Sequence, residues 1–473
     1  MVRVLLALLA TLVAVPAAHA STLTPPPPEH RADPALTTYI HRAGPFTVSS
    51  YETLLKEAKV KPPPVRGAIV AMDARLVDQH GDVIPQSVVM LHHLVFTNGG
   101  TDDRRRDPQC PNNTTRERFY GTSEELRPLT LPRGYGYPTD PEDRWRAPLM
   151  VMHHRAGDRT FYVEYRMTVD TRPTTPVKPY WLSIVTCSAD PQWTVKGSGA
   201  TTAKRQRTFT LPQAGRIVAA GAHLHGGAQA LTLTQPRCKR TLVRSLPFYA
   251  PEDDPLYKVR PLLHEPDPKT ISWWQSATGW PVRKGERLTV TAEYDDTRAH
   301  TRVMGIEHVY VAPATGSAPC GAPPQDAETL GAEFESPRLT PPAVDLTLAR
   351  LGSDGQARPT TRADGPSRTV KGPVASVFVR DFAYGPTNLT IPKGGVIRWH
   401  FEDDDRHDVT LARGPEGFAS PWLTKQRTYA RRFTRPGTYL LHCSLHSAYM
   451  SQIVTVTREP PRLPRRAADR PRR

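Results

Sequence analysis

ERLTVTAEY, residues 286–294, alternates apolar and polar side chains, the period-two pattern of a strand with one face on a core. RTFYVEYRMTV (159–169) and GGVIRWHF (394–401) likewise alternate or cluster β-branched and aromatic residues, and turn residues separate such runs. The chain carries 50 prolines in 473 residues and shows no sustained helical periodicity. Proline removes an amide donor and clashes with the preceding turn, so this composition opposes helices. The reading is an all-β chain of packed sandwiches.

The length allows roughly three domains at about 150 residues each. Residues 1–20 read as a cleaved leader: an early arginine, a short apolar stretch and Ala18-His19-Ala20. Residues 21–45 open on a proline run and read as a tether. No other run approaches about 18 apolar residues, so the expectation is a secreted or extracytoplasmic protein without a stable membrane span. A second low-apolar stretch, 316–372, carries APCGAPPQ and ARPTTRADGPSR and reads as a linker. It isolates a C-terminal unit at 373–457, followed by a basic, disordered tail at 458–473. The front portion is long enough for two sandwiches, 46–195 and 205–315, with a seam at KGSGATTAKRQ. The formal net charge of +16 comes largely from arginines scattered through loops and the tail. That distribution describes a solvated basic surface, and no nucleic-acid partner is expected.

Five cysteines sharpen the picture. Cys110 and Cys187 fall in the first sandwich and Cys238 and Cys320 bracket the second, so one bridge per domain is the simplest pairing, although four cysteines permit three. Cys443 is left over, in YLLHCSLHSAYM (439–450). Strand alternation puts Tyr439, Leu441 and Cys443 on one face and His442 on the other. A loop can then return His446 and Met450 to the thiol. His407, in DDDRHDVTLA, supplies a second imidazole. Two histidines, one cysteine and a weak axial methionine form the blue-copper donor set. His400 and His442 read as ordinary surface residues.

Residues 373–457 resemble a cupredoxin of the plastocyanin and amicyanin kind, through DFAYGPTNLTIPKGGVIRWHFEDDDRHDVT and FTRPGTYLLHCSLHSAYMSQIVTV. The resemblance implies a Greek-key sandwich holding one type 1 copper on His407, Cys443, His446 and Met450. The spacing around His446 lies between family variants, so Met450 is the loosest member of the set.

The front portion holds four further stretches: VVMLHHLVFTNGG, APLMVMHHRAGDRTFYVEYRMT, VAAGAHLHGGAQALTL and HTRVMGIEHVYVAP. His223 and His225, two apart on a strand, share a face and can clamp a metal. In this order the stretches resemble the copper type II, ascorbate-dependent monooxygenases, the peptidylglycine and dopamine hydroxylase family. The resemblance implies two jelly-roll sandwiches facing each other across a solvent gap, each with one type 2 copper. His92, His93 and a histidine of HHRAG, His154 in preference to His153, would hold the first. His223, His225 and Met304 would hold the second and carry catalysis. Adjacent His92 and His93 can share a metal only at a bulge or strand end. The implied activity is O2-dependent hydroxylation of a C–H bond in a small organic substrate, driven by ascorbate or another external electron donor, with the cupredoxin unit as electron entry.

Two departures favour a different class, a non-catalytic copper protein on the same scaffold. Gly221 stands where the peptidyl enzymes place a substrate-binding arginine, and His308 stands where they place a tyrosine. His308 reads as a satisfied strand histidine and His300 as a loop residue; Trp273-Trp274 reads as core. A multicopper oxidase fails on motif count, with one H-x-H pair and a His442-Cys443-Ser444 strand.

Overall fold

The computed structural model describes residues 33, 35–99, 116–188, 190–262, 264–331, 344 and 346–461. The leader, Cys110 and most of the basic tail lie outside the described residues. The fold is all-β; the helical elements among the described residues are two short 3-10 turns, Pro236–Cys238 and Pro255–Lys258. Alternation translates directly into burial: along Arg287–Asp296, Leu288, Val290, Ala292 and Tyr294 are buried between more exposed neighbours.

In the first sandwich one sheet runs Leu36–Val48, Arg159–Asp170, Gly67–Val77, Tyr135–Thr139 and Thr175–Pro176, with Leu129–Thr130 against Gly67–Val77. The facing sheet runs Thr53–Ala58, Trp145–His153, Val89–Asn98 and Glu117–Thr122. In the second, Lys178–Ser183, Gly305–Pro313, Gly215–Leu224, Trp273–Val282 and Glu328–Leu330 face Ala200–Thr210, Arg287–Asp296, Ala228–Gln235 and Arg240–Ser245. The third joins Ser367–Thr369, Asn388–Ile391, Ser451–Val456, Gly437–His442 and Thr410–Arg413 in one sheet. Its other sheet holds Ala383–Gly385, Val374–Arg380, Val396–Phe401 and Arg427–Arg432.

Three sequence boundaries need correction. The tether range 21–45 contains most of Leu36–Val48, an edge strand paired with Arg159–Asp170 and tied to it by Arg42 donating to Glu164. The seam at 196–206 is displaced, because Lys178–Ser183 pairs with Gly305–Pro313 and so belongs to the second sandwich. The linker range also holds structure: Glu328–Leu330 extends the second sandwich, Leu348–Leu351 and Ala357–Thr360 form a hairpin, and Ser367–Thr369 pairs in parallel with Asn388–Ile391.

The expected solvent gap between the front sandwiches is replaced by a shared core. Val218, Ala219, Trp273, Tyr310 and Ala312 of the second sandwich pack into the apolar cluster of the first. Trp273 Nε1 donates to Thr130 O at 3.0 Å, and Tyr310 Oη to Phe119 O at 2.6 Å. Large aromatics at a contact exclude water and satisfy their polar tips across it, which closes the space where a cleft was expected. Cys238 is bonded to Cys320, and Cys187 is also disulfide-bonded. Disulfides persist in oxidising compartments. No helix of the described residues is long and apolar enough to cross a membrane.

Candidate metal centres

Gly437–His442 runs between Thr410–Arg413 and Ser451–Val456, burying Tyr439 and Leu441. Just beyond it, Cys443 begins a loop that closes on itself: His446 N donates to Cys443 O at 3.1 Å, Met450 N to His446 O at 2.9 Å and Cys443 N to Met450 O at 3.1 Å. His407 is fixed from the neighbouring loop by reciprocal backbone bonds with Leu423. The ligand atoms converge. Nδ1 of His407 and Nδ1 of His446 lie 3.2 Å apart, and Cys443 Sγ lies 3.9 Å and 3.5 Å from them. A trigonal ion with bonds of about 2.0–2.3 Å needs donors roughly 3.5 Å apart. Met450 is buried in the same core cluster as Cys443. His407 turns Nε2 to Asp403 at 3.2 Å, leaving the Nδ1 lone pair for the centre.

Burial, with the Asp408 charge behind it, pushes the Cys443 thiol well above its usual range. A nearby cation offsets that penalty and favours the thiolate. Burial, then His407, lowers His446 to about 4. The imidazole is therefore neutral and available as a donor near neutral pH. Soft sulfur with two imidazoles suits copper, so these residues fit the ion their sequence suggests.

The second centre lies where the front sandwiches meet. The pairing of Val89–Asn98 with Trp145–His153 slips between Leu91 and His93, so His92 sits in a β-bulge. That bulge brings adjacent rings together, Nδ1 to Nδ1 at 3.3 Å. Across the interface, His223 and His225 approach Nε2 to Nε2 at 3.2 Å from the end of Gly215–Leu224. The chain then turns through Gly227 at φ +85°, where an added Cβ would meet the His300 ring at 2.2 Å. His264 completes the set, its Nε2 3.2 Å from His92 Nε2. One ligand atom each from His92, His225 and His264 fall within 4.8 Å of one another.

The outer contacts of two rings select the inward nitrogen. His225 Nδ1 donates to Arg302 O at 2.8 Å and His223 Nδ1 faces Glu125 at 3.3 Å, whereas His264 Nδ1 lies 3.5 Å from Glu124 without a hydrogen-bond partner among the described residues. Each Nε2 is left pointing at the cluster, the orientation that metal-bound histidines take from outer carboxylates and carbonyls. Burial, then the neighbouring rings, lowers His92 and His225 well below the usual histidine range. Burial leads in lowering His93 and His264 to about 4. These rings are neutral near neutral pH, with lone pairs to offer, and an imidazole-rich set suits copper.

His154 is buried, and neither of its ring nitrogens has a hydrogen-bond partner among the described residues; His153 instead bonds Ser49 O at 3.0 Å. Met304 packs with Val95, Trp181 and Ile306 and lines a small cavity with His93, His223 and His308. Gly121 opens this cavity, since a Cβ there would meet His308 and Trp181 at 3.1 Å. His308 is not the satisfied strand residue expected: its ring lies 4.2 Å from Trp181, and Nε2 is buried without a partner among the described residues. His300 is a buried strand residue held between Glu265 and Asp295, not a loop residue. His442 also needs correction. It faces outward from its own sheet, but the outward side is covered, and the residue is 6% exposed.

Sequence reading missed His264, in PLLHEPDPK, because an irregular segment has no periodicity to assign a face. The available signal was a histidine set among acids and prolines. His264→Ala is expected to weaken copper binding here by more than the roughly 10- to 100-fold that loss of an outer partner costs. The Cys443 centre should be unchanged, as read by copper titration against a chelator.

The family described as "Stress up-regulated Nod 19" matches residues 181–314. That stretch coincides with most of the second sandwich, from within Lys178–Ser183 to the end of Gly305–Pro313. No curated protein matches the chain. Similar solved structures include a copper(I) amicyanin mutant at 25% identity, covering 18% of this chain and 83% of that one, with a TM-score of 0.17. A reduced amicyanin mutant is 28% identical over 18% of this chain and 82% of that one, with a TM-score of 0.17. A purple cupredoxin from Nitrosopumilus maritimus is 26% identical over 18% of this chain and 99% of its own, with a TM-score of 0.17. The ligand geometry, rather than these partial likenesses, carries the assignment of the Cys443 centre.

Proposed function

We propose that the chain is an extracytoplasmic copper oxidoreductase that takes up single electrons at the Cys443 centre and uses them at the inter-sandwich centre for O2-dependent hydroxylation of a small organic substrate. The carrying observation is the convergence of one ligand atom each from His92, His225 and His264 across two sandwiches, flanked by His93 and His223, with Nδ1 of His223 and His225 turned to outer oxygens. Bound copper would supply one-electron redox chemistry at the first centre and O2 activation at the second. The protein's own part is positional. His407, Cys443, His446 and Met450 would hold the first ion, in a pocket that Phe382 covers with its ring 4.8 Å from that of His446. The inter-sandwich histidines would hold the second. Met304 and His308 border the small, mainly apolar cavity beside His93 and His223.

A non-catalytic electron-transfer protein is the second reading. Gly221 favours it, because the backbone there is covered by Trp273 and by Arg127, which leaves no room for a substrate-binding side chain. Oxygen uptake divides the two. Copper-loaded protein with ascorbate and a substrate panel is expected to consume O2 above the free-copper background, and His264→Ala to return it to background. Uptake at background for the intact protein, with both centres loaded, supports the carrier.

A further inference from the structure

We propose that His442 is the relay through which electrons pass from the Cys443 centre to the inter-sandwich centre. This rests on the functional reading above. Cys443 and His442 are consecutive, so an unbroken covalent path joins the thiol that would hold the first ion to the His442 ring. Their side chains leave the end of Gly437–His442 on opposite faces. Cys443 enters the core of its own sandwich, whereas His442 enters a small cavity between units, lined also by His92, His264, Arg302, Trp422 and Ser444. Two of those residues belong to the inter-sandwich centre. The same cavity thus touches both ligand sets, one directly and one through a single peptide link.

The surrounding contacts fix this juxtaposition. The Arg302 guanidinium donates to the Asp408 carboxylate, to Thr410 Oγ1 at 3.1 Å and to Ser420 O at 2.8 Å. Asp408 accepts from Ser444 N at 2.6 Å and Ser444 Oγ at 2.7 Å, beside Cys443. Trp422 Nε1 donates to Ser444 Oγ at 3.1 Å. These contacts hold the loop beside Cys443 and the end of Gly437–His442 against Arg302 of the second sandwich. In the step, one electron would leave a reduced ion held at Cys443 and enter an oxidised ion held at the histidines, so that oxidation at one centre would balance reduction at the other. No bond forms or breaks, and His442 neither gains nor loses a proton.

The test uses full-length, copper-loaded protein in four forms: wild type, His442→Phe, His442→Gln and, as a control on the same sandwich, His400→Phe. Copper per chain, the visible band and the electron paramagnetic resonance spectrum are recorded first. One electron is then delivered by pulse radiolysis, and the recovery of the bleached visible band is followed. Wild type and His400→Phe are expected to recover alike. Both His442 variants should keep their copper and spectra yet recover slower by at least an order of magnitude. Unchanged recovery in both variants overturns the relay. Loss of inter-sandwich copper in both also overturns it, because His442 would then be a ligand or a strut. A wild type that binds copper only at Cys443 overturns the functional reading itself, and the copper count shows this before any kinetics.

Discussion

Cys443→Ser is expected to fold and to be colourless when loaded with copper. Serine nearly matches the volume of cysteine, so the core around Tyr439, Leu441 and Met450 keeps its packing. A buried hydroxyl needs a partner. His446 Nδ1, which lies 3.5 Å from Sγ, is placed to take that role. The stability change is therefore limited to about 1 kcal/mol, the net scale of one hydrogen bond. Copper chemistry at the centre changes far more. The strong visible band of a blue site requires a thiolate donor, and a hydroxyl is a poor donor for copper(I). The variant should lose that band entirely and bind one ion fewer, while the inter-sandwich histidines keep their copper. Absorption and metal analysis of wild type and variant side by side check this. A variant that stays blue would remove Cys443 from the site.

Arg302→Ala should be strongly destabilising. Arg302 is 12% exposed at its side chain and Asp408 is fully buried. Asp408 keeps its charge although burial acts to raise its pKa, because Arg302 and Ser444 outweigh that cost and hold it below the usual carboxylate range. Without Arg302 the carboxylate is a buried charge lacking a counter-ion, a loss of about 3–5 kcal/mol. The damage reaches both centres. Arg302 O accepts from His225, while Asp408 adjoins His407 and holds Ser444 beside Cys443. Arg302→Lys keeps the charge but not the forked donors, so it should fall between wild type and alanine. Denaturant unfolding measures the change. A shift within about 0.5 kcal/mol, typical of neutral surface positions, would show that Arg302 does not lock the units together.

How much of this was legible in the sequence depended on what period-two patterning encodes. It encodes which face of a strand a side chain takes, and so it gave the all-β class and the buried set along Arg287–Asp296. It does not encode partners. Lys178–Ser183 follows the first sandwich in sequence but pairs with Gly305–Pro313, far along the chain, and no local signal announces that. His442 shows the same limit. Alternation put it outward, and it is outward; the face beyond is another unit of the chain instead of water. The Cys443 loop was readable because its donors lie close together in sequence. The inter-sandwich centre was readable only in part, since His264 comes from an irregular segment and the His92 bulge is a property of pairing.

The most direct test of the account is a copper titration of the metal-free, full-length protein followed by absorption and electron paramagnetic resonance. One blue ion is expected, lost in Cys443→Ser, and at least one further ion without strong visible absorption, lost in His264→Ala. Saturation at the blue ion alone, with His264→Ala indistinguishable from wild type, would contradict it.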